Sequence, residues 1–306
     1  MMHGLLPLVK PRGITSHDAV ARVRRVFRRQ KAGHFGTLDP VAEGLLLVGL
    51  GKGTRFFQFY QSRRKIYFGV VKFGISTNTY DIEGVPVGEP GEIDLAKVDL
   101  EGLLTRFRGR ILQVPPIYSA KKMKGKPLYE YARRGVEITP KPVEVEIFSL
   151  SGRVLDSSRL EFRAETGSGV YLRSLAHDMG QDLGCGAHLE SLCRESVGEF
   201  NIRDAVTLED LESASASGDC ARFVIPLEDL LPEWPRLIVG EAGRNCVLNG
   251  NPLWTRDVVR MVSAVPSPWY RVFSESGRLV ALVSRDDNGP RFNPKMVFPE
   301  ESPFSD

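Results

Sequence analysis

The chain has no run of 18 apolar residues, so nothing in it reads as a helix able to cross a hydrocarbon layer of about 30 Å. Its start, Met1 to Thr15, breaks an apolar stretch with Pro7, Lys10 and Pro11 and lacks a signal-peptide layout, so cytoplasmic residence is the expectation. Cysteine is scarce. The four thiols, Cys185, Cys193, Cys220 and Cys246, form no C-x-x-C pair and no zinc spacing with the five histidines. They read as reduced, structural residues, and no metal site is expected. No internal repeat is visible, nor any low-complexity tract beyond Ser213 to Asp219, which reads as an exposed loop.

Acidic residues are also scarce where basic ones gather. Residues 1–75 carry 14 Lys/Arg against 3 Asp/Glu, and residues 119–142 carry 7 against 2, while the whole 306-residue chain is only +3. Such segregation suits a polyanionic partner, because Lys/Arg clusters neutralise phosphates and release counterions. It equally suits a solvated helix face. The hydrophobic share of 42% supports a sizeable core, and the length suggests about two domains.

Ser16 is placed to cap a helix running to about Gln30, with Val20, Val23, Val26 and Phe27 on one stripe. Arg22, Arg25 and Arg29 then share another face. Leu45 to Leu50 is a short apolar run. Ile66 to Ile75 reads as a strand apolar on both faces, hence central in a sheet. Residues 143–148 and 159–165 read as further strands. The turn at Thr166 to Gly169 leads to a helix from about Tyr171 to Leu183, ended by Gly184. Pro226, Pro232 and Pro235 suggest a domain boundary near residue 235. Beyond it, strands are expected at 236–239, 257–263, 269–274 and 278–283, the last two flanking a hairpin at Ser274 to Gly277.

Taken singly, the chemical candidates are weak. Asp39 before Pro40 is the composition of a turn. His34 between glycines suits a surface loop, Tyr67 a core strand, and Arg173 a solvated first helical turn. Their order is more informative. Gly33-His-Phe-Gly-Thr-Leu-Asp-Pro40, followed by Ala42-Glu-Gly44, resembles the signature loop of the TruB family of bacterial tRNA pseudouridine-55 synthases. Further blocks match in order: Lys10 to Ser16; Lys65-Ile-Tyr67; Gly74 with Thr79 to Gly84; Val114 to Lys121 with Gly125, Tyr129 and Ala132 to Gly135; Gly169 to Leu175; and Gly186 to His188 with Leu192 and Arg194. Phe35 and Val41 depart from the pattern, standing where smaller or polar residues are usual. The tail, with Asn249-Gly250, Arg271 to Phe273, Gly277 to Leu279 and Pro294-Lys295, resembles a PUA module.

The resemblance implies an α+β fold: a large mixed, mainly antiparallel sheet flanked by helices over residues 1–235, with an RNA-gripping insertion at about 119–142, and a small β-barrel-like PUA domain over 236–306. It implies an enzyme that isomerises uridine 55 in the T loop of tRNA to pseudouridine, with possible tRNA-folding chaperone action beside it. Asp39 aligns with the essential carboxylate, Tyr67 with the aromatic residue that stacks on the flipped base, Arg173 with the arginine that pairs with Asp39, and His34 with the residue that replaces the extruded base. Tyr171, Arg22, Arg25, Arg29, Lys121, Lys122, Arg133 and Arg134 are the expected RNA contacts. Neither a guide RNA nor an obligate protein partner is expected, and the chain is expected to act as a monomer, away from membranes.

The reaction breaks the bond from base N1 to ribose C1′, turns the base and rejoins it through C5. It moves no electrons out and transfers no group, so no cofactor is expected. A carboxylate suffices, as nucleophile or as base on the sugar, and both routes stay open. A neighbouring guanidinium favours its charged form, and arginine offers a bidentate fork that lysine lacks. Extruding the base costs a few kcal/mol, and stacking on Tyr67 returns about 1–3 kcal/mol of that. Two other readings stand beside this one: a guide-RNA-dependent synthase, which would lack the 119–142 insertion, and an RNA chaperone that binds without catalysis.

Overall fold

A computed structural model describes residues 1–119, 121–123, 125–134, 136, 138, 140–262, 267–285 and 289–299. The chain divides into two compact units, Leu6–Phe223 with Met1–Met2, and Val224–Asp306 with His3–Leu5.

The first unit is built on strands β1 (Gly4–Lys10), β2 (Ala32–His34), β3 (Ala42–Leu50), β4 (Lys65–Phe73), β5 (Gly109–Gln113), β6 (Val143–Val154), β7 (Arg159–Thr166), β8 (Ala187–Val197) and β9 (Val206–Thr207). Helices α1 (Ser16–Val26), α2 (Leu100–Arg106), α3 (Leu172–Asp182) and α4 (Leu208–Ser217) accompany them. The sheet runs β9-β1-β3-β8-β4-β7-β6-β5, with β2 branching from β3. The β3–β8 and β1–β9 pairs are parallel, and the pairs from β8 out to β5 are antiparallel. This is the mixed, mainly antiparallel sheet the sequence led us to expect. Leu103 and Leu104 of α2 and Leu175, Ala176 and Met179 of α3 pack on the same core as Val71, Phe73, Leu160, Phe162 and Leu189 of the sheet. Strand β4 is central, between β8 and β7. It is not buried on both faces, however. Lys65, Tyr67, Gly69, Val71 and Phe73 point inward, whereas Phe68 is exposed, so the alternation of a half-buried strand holds despite the apolar composition.

Three local readings are corrected. Thr15, not Ser16, caps α1: its hydroxyl accepts from Asp18 N while the Asp18 carboxylate accepts from Thr15 N, a reciprocal box. Helix α1 stops at Val26, and Arg28 and Arg29 follow in the left-handed region, so Arg29 does not share a helical face with Arg22 and Arg25. The serine-rich stretch is no loop. It supplies the second half of α4, whose Leu211 and Ala214 are buried and whose end is set by Gly218 at φ 77. Small side chains at alternate exposed positions hid a helix whose apolar residues recur every three.

Phe35 and Val41, the two departures from the family pattern, are both buried, and Phe35 stacks on Tyr60 at 6.0 Å. Larger apolar groups there are absorbed by the core.

The second unit has strands β10 (Arg236–Val239), β11 (Leu253–Trp254), β12 (Val258–Val262), β13 (Trp269–Ser274), β14 (Leu279–Arg285) and β15 (Arg291–Val297), with helix α5 (Glu241–Leu248). Its sheet runs β11-β15-β14-β13-β10-β12. The hairpin expected at Ser274 to Gly277 joins β13 to β14. Helix α5 and strand β15 were not foreseen; they close a core of Leu237, Val239, Val247, Tyr270, Val272, Val283 and Phe292. Buried Arg271 ties the segment leading into this sheet, donating to the carbonyls of Glu228, Leu230, Pro232 and Trp234.

Gly44 fixes the register of β3 against β8. Its φ is +109, and a Cβ there would sit 2.4 Å from the carbonyl oxygen of Arg194. Gly44→Ala should therefore cost about 2–3 kcal/mol in denaturant unfolding, through both the φ penalty and the clash. An unchanged midpoint would show that the two strands can part without penalty.

Candidate active site

Asp39 lies in the loop between β2 and β3. The loop is held from below by Ser16, whose buried hydroxyl donates to Leu38 O at 2.9 Å and accepts from Leu38 N at 2.8 Å. Gly13 N donates to Pro40 O at 2.8 Å on the other side. Ser16, read from sequence as a helix cap, instead reaches 22 residues along the chain to fix the residue before the carboxylate. That leaves the Asp39 side chain 38% exposed, open to a cleft of about 550 Å³.

Arg173 meets Asp39 from α3. The Nε–Oδ2 separation is 2.8 Å, but no aligned hydrogen bond forms there, so the contact is a close charge pair. The expected bidentate fork to Asp39 is not what the structure contains. Nη1 lies 3.3 Å from Asp81 Oδ2 and donates to Thr79 O at 2.9 Å, and Nη2 donates to Tyr118 O at 2.9 Å. Arg173 and Asp81 are both about 94% buried in their side chains, so this second pair is largely out of water. One guanidinium thus serves two carboxylates and two carbonyls. Asp81 is in turn oriented by Thr79 Oγ1 at 2.6 Å and Glu83 N at 3.1 Å. Between them Tyr80 takes a left-handed backbone, φ 64, and its ring stacks on His177 of α3 at 3.9 Å.

The start of α3 is clamped by the last residue of β5 and the one after it. Fully buried Gln113 donates to Tyr171 O at 3.1 Å and accepts from Tyr171 N at 2.8 Å, while Ser174 Oγ donates to Val114 O. Tyr171 lines the cleft, and burial raises its phenol above the usual range.

Tyr67 is 7% exposed on β4 and lines the same cleft, opposite Arg194 of β8 in the strand register. His34 ends β2, edge-on to His17 at 5.2 Å. Burial first, then the charges of His17 and Arg194, push His34 down to about 4. It is therefore a neutral ring at physiological pH, suited to stacking rather than to holding phosphate. It does not line the cleft that holds Asp39.

The basic residues are dispersed. Lys121 lines the cleft. Arg134 is exposed, and the side chains of Lys122 and Arg133 lie outside the described residues. Arg22 forms a two-point ion pair with Glu212 of α4, at 2.8 and 2.7 Å, so it is not held out toward solvent as expected. Arg25 is exposed on the same helix, one turn on. Exposed Arg29 lies beyond the helix end.

Sequence reasoning missed four residues. Asp81, Ser16, Lys65 and Arg194 lay inside matched blocks, but none was given a part in the site. For Lys65 and Arg194 a signal existed. Lys65 is in phase with Tyr67 on β4, and Arg194 with Leu192 on β8, so each places a cation on an inward-facing position. No group of three or more His, Cys, Asp or Glu among the described residues is arranged to hold a metal ion.

Comparison with known proteins identifies the family. Residues 24–172 match the model of the TruB family pseudouridylate synthase N-terminal domain, and residues 173–232 that of the tRNA pseudouridylate synthase B C-terminal domain. A tRNA pseudouridine synthase B of Solibacter usitatus is 41% identical, covering 92% of this chain and 95% of its own. That of Dehalococcoides mccartyi is 37% identical over 100% and 99%, and that of Thermotoga maritima 38% over 94% and 92%. Among solved structures, an H/ACA ribonucleoprotein bound to a substrate RNA containing 2′-deoxyuridine superposes with a TM-score of 0.72 at 22% identity, covering 97% of this chain and 85% of that one. A Cbf5–Nop10–Gar1 complex gives 0.71 at 24%, covering 96% and 84%. At such identity these two speak for the fold alone. Identity of 37–41% over nearly the whole chain, with the two domain models matching residues 24–172 and 173–232, means that the chain belongs to the TruB family of pseudouridylate synthases.

Proposed function

We propose that this protein converts uridine 55 in the T loop of tRNA to pseudouridine, with Asp39 as the carboxylate that acts on the ribose. The single observation that carries the reading is Asp39 itself. It is an accessible carboxylate, charge-paired at 2.8 Å to a buried arginine, in a cleft of about 550 Å³ that also holds Tyr67. A pocket of this size admits one flipped nucleotide. Curated relatives named tRNA pseudouridine synthase B supply the substrate class.

The division of labour follows from position. Ser16 and Gly13 hold the loop, so Asp39 meets the sugar without reorganising. Arg173 holds the carboxylate in place through their 2.8 Å charge contact. Tyr67 offers a face for the base, and neutral His34 fills the gap that the base leaves. Tyr171 and Lys121 at the cleft, with Arg25, Arg29, Lys122, Arg133 and Arg134 beyond it, would hold the RNA backbone; Arg22 would do so only after leaving Glu212. The catalytic part is assigned to residues 1–235 with its RNA-gripping insertion at about 119–142, and the RNA-binding module to 236–306. The enzyme would act in the cytoplasm as a monomer without guide RNA, and the loop opening needed to extrude a base would also let it assist tRNA folding. No helix among the described residues is long and apolar enough to cross a membrane.

Asp39→Asn should abolish turnover and leave tRNA affinity within a few-fold, because the near-isosteric amide is neither nucleophile nor useful base. Tritium release from tRNA labelled at uridine C5 reads the first quantity and filter binding the second. Turnover within tenfold of wild type would remove Asp39 from this role.

Arg173→Lys keeps a charge but can occupy only part of a site spanning Asp39, Asp81 and two carbonyls. Single-turnover rates should fall by about 10²-fold or more with tRNA affinity little changed, since the loss falls on positioning of the reacting group. The buried Asp81 loses its close partner as well, so thermal stability should drop by about 1–3 kcal/mol. Weaker tRNA binding with an unchanged chemical step would instead make Arg173 a contact to the RNA backbone.

A further inference from the structure

Two cations on the inner wall of the cleft have no part in the scheme above. Lys65 is 7% exposed and Arg194 1% exposed, yet both line the cleft beside Tyr67. They stand on adjacent strands: Tyr67, two residues from Lys65, is the register partner of Arg194. Each is anchored by carbonyls rather than by carboxylates. Lys65 Nζ donates to Gln61 O and Arg63 O, both at 2.8 Å. Arg194 Nε donates to Leu45 O at 2.8 Å, and Nη2 to Gly36 O at 3.1 Å. An ammonium has three donors and a guanidinium five, so each retains hydrogens that take no acceptor among the described residues. Arg194 Nη1 lies 3.5 Å from where a Cβ on Gly36, another cleft residue, would sit. No ion pair neutralises either charge among the described residues. Two uncompensated, desolvated cations cost stability and raise the question of which anion they face.

Resting on the proposed uridine isomerisation, we infer that Lys65, with Arg194 behind it, is a catalytic residue that stabilises the negative charge developing on the uracil ring as the glycosidic bond breaks. When C1′–N1 cleaves, the bonding pair stays on N1 and its charge spreads to O2 and O4. This holds whether Asp39 forms a bond to C1′ or removes a proton from C2′. Re-joining forms C1′–C5 at the expense of that charge, as the Asp39–C1′ bond breaks in the first route or Asp39 returns its proton to C2′ in the second, and the C5 proton is then released to solvent. In the proposed pose the ring lies against Tyr67, two residues along the strand from Lys65, and the phosphates stay at the mouth. Donors locked on carbonyls meet that charge without reorganising, which makes fixed groups effective in a desolvated site. Burial, then the Arg194 charge, lowers Lys65 to about 8, which still leaves it mainly protonated at pH 7.

The test compares uridine with 5-fluorouridine at the target position of a tRNA T-arm transcript. Fluorine at C5 withdraws electrons and stabilises the same ring anion, so the substrate itself supplies part of what Lys65 provides. For Lys65→Met, single-turnover consumption of the target nucleoside, read chromatographically after nuclease digestion, should fall by about 10²-fold on uridine. On 5-fluorouridine the fall should be several times smaller. Lys65→Arg should recover much of the uridine rate. If Lys65→Met does not fold by circular dichroism, Lys65→Gln is used, which retains donors to the anchoring carbonyls without the charge. An equal fall on both substrates would make Lys65 structural and overturn the assignment, as would an unchanged rate. Wild-type protein leaving uridine untouched would bring down the functional reading itself, a result separable from either.

Discussion

The active site depends on one buried guanidinium held between two carboxylates. Arg173 touches Asp39 and Asp81 and donates to the carbonyls of Thr79 and Tyr118. Those four partners come from the loop before β3, the turn after β4 and the segment after β5, so a single side chain ties together three stretches far apart in sequence. Desolvating an arginine is costly unless its donors are met, and here the site is built around meeting them. Asp81 and the carbonyls satisfy the cation from behind. The Asp39 side is left as a charge contact without an aligned hydrogen bond, which leaves that carboxylate's lone pairs available for chemistry.

Around this pair the same economy recurs. Carbonyl oxygens, not carboxylates, hold the cleft's other buried cations, Lys65 and Arg194. A carboxylate would neutralise the field at short range, whereas a carbonyl fixes geometry and leaves most of the charge expressed. The cleft is thus positive on its inner wall and negative at Asp39. That polarity suits a reaction in which a base departs as an anion from a sugar that a carboxylate approaches. Gly44 belongs to the same device, since only a residue without Cβ lets β3 close on the backbone of Arg194.

The scaffold explains the rigidity. Ser16 clamps the residue before Asp39, Gln113 clasps both polar groups of Tyr171, and the Tyr80–His177 stack offsets the strained backbone at Tyr80. Each clamp is buried or half-buried, where a hydrogen bond lost would leave an unmet partner. Catalysis by positioning requires this kind of support, because reacting groups displaced by about 1 Å lose much of their effect.

The sequence by itself determined the family, the strands at Lys65–Phe73, Val143–Val154 and Arg159–Thr166 and the hairpin of the second unit, because ordered motifs and period-two alternation are local properties of the chain. It mistook the helix at 208–217 for a loop, since serines and alanines weaken the apolar stripe that marks a helix. It took Ser16 for a cap, because the composition of a helix start does not reveal which hydroxyl faces its own backbone and which faces Leu38. Only the tertiary structure decided that Arg22 meets Glu212, that Asp81 shares Arg173, and that Lys65 and Arg194 stand together beside Tyr67. Those contacts join segments between 92 and 190 residues apart or lie across paired strands. Their existence follows from strand register and helix packing, which no local pattern encodes.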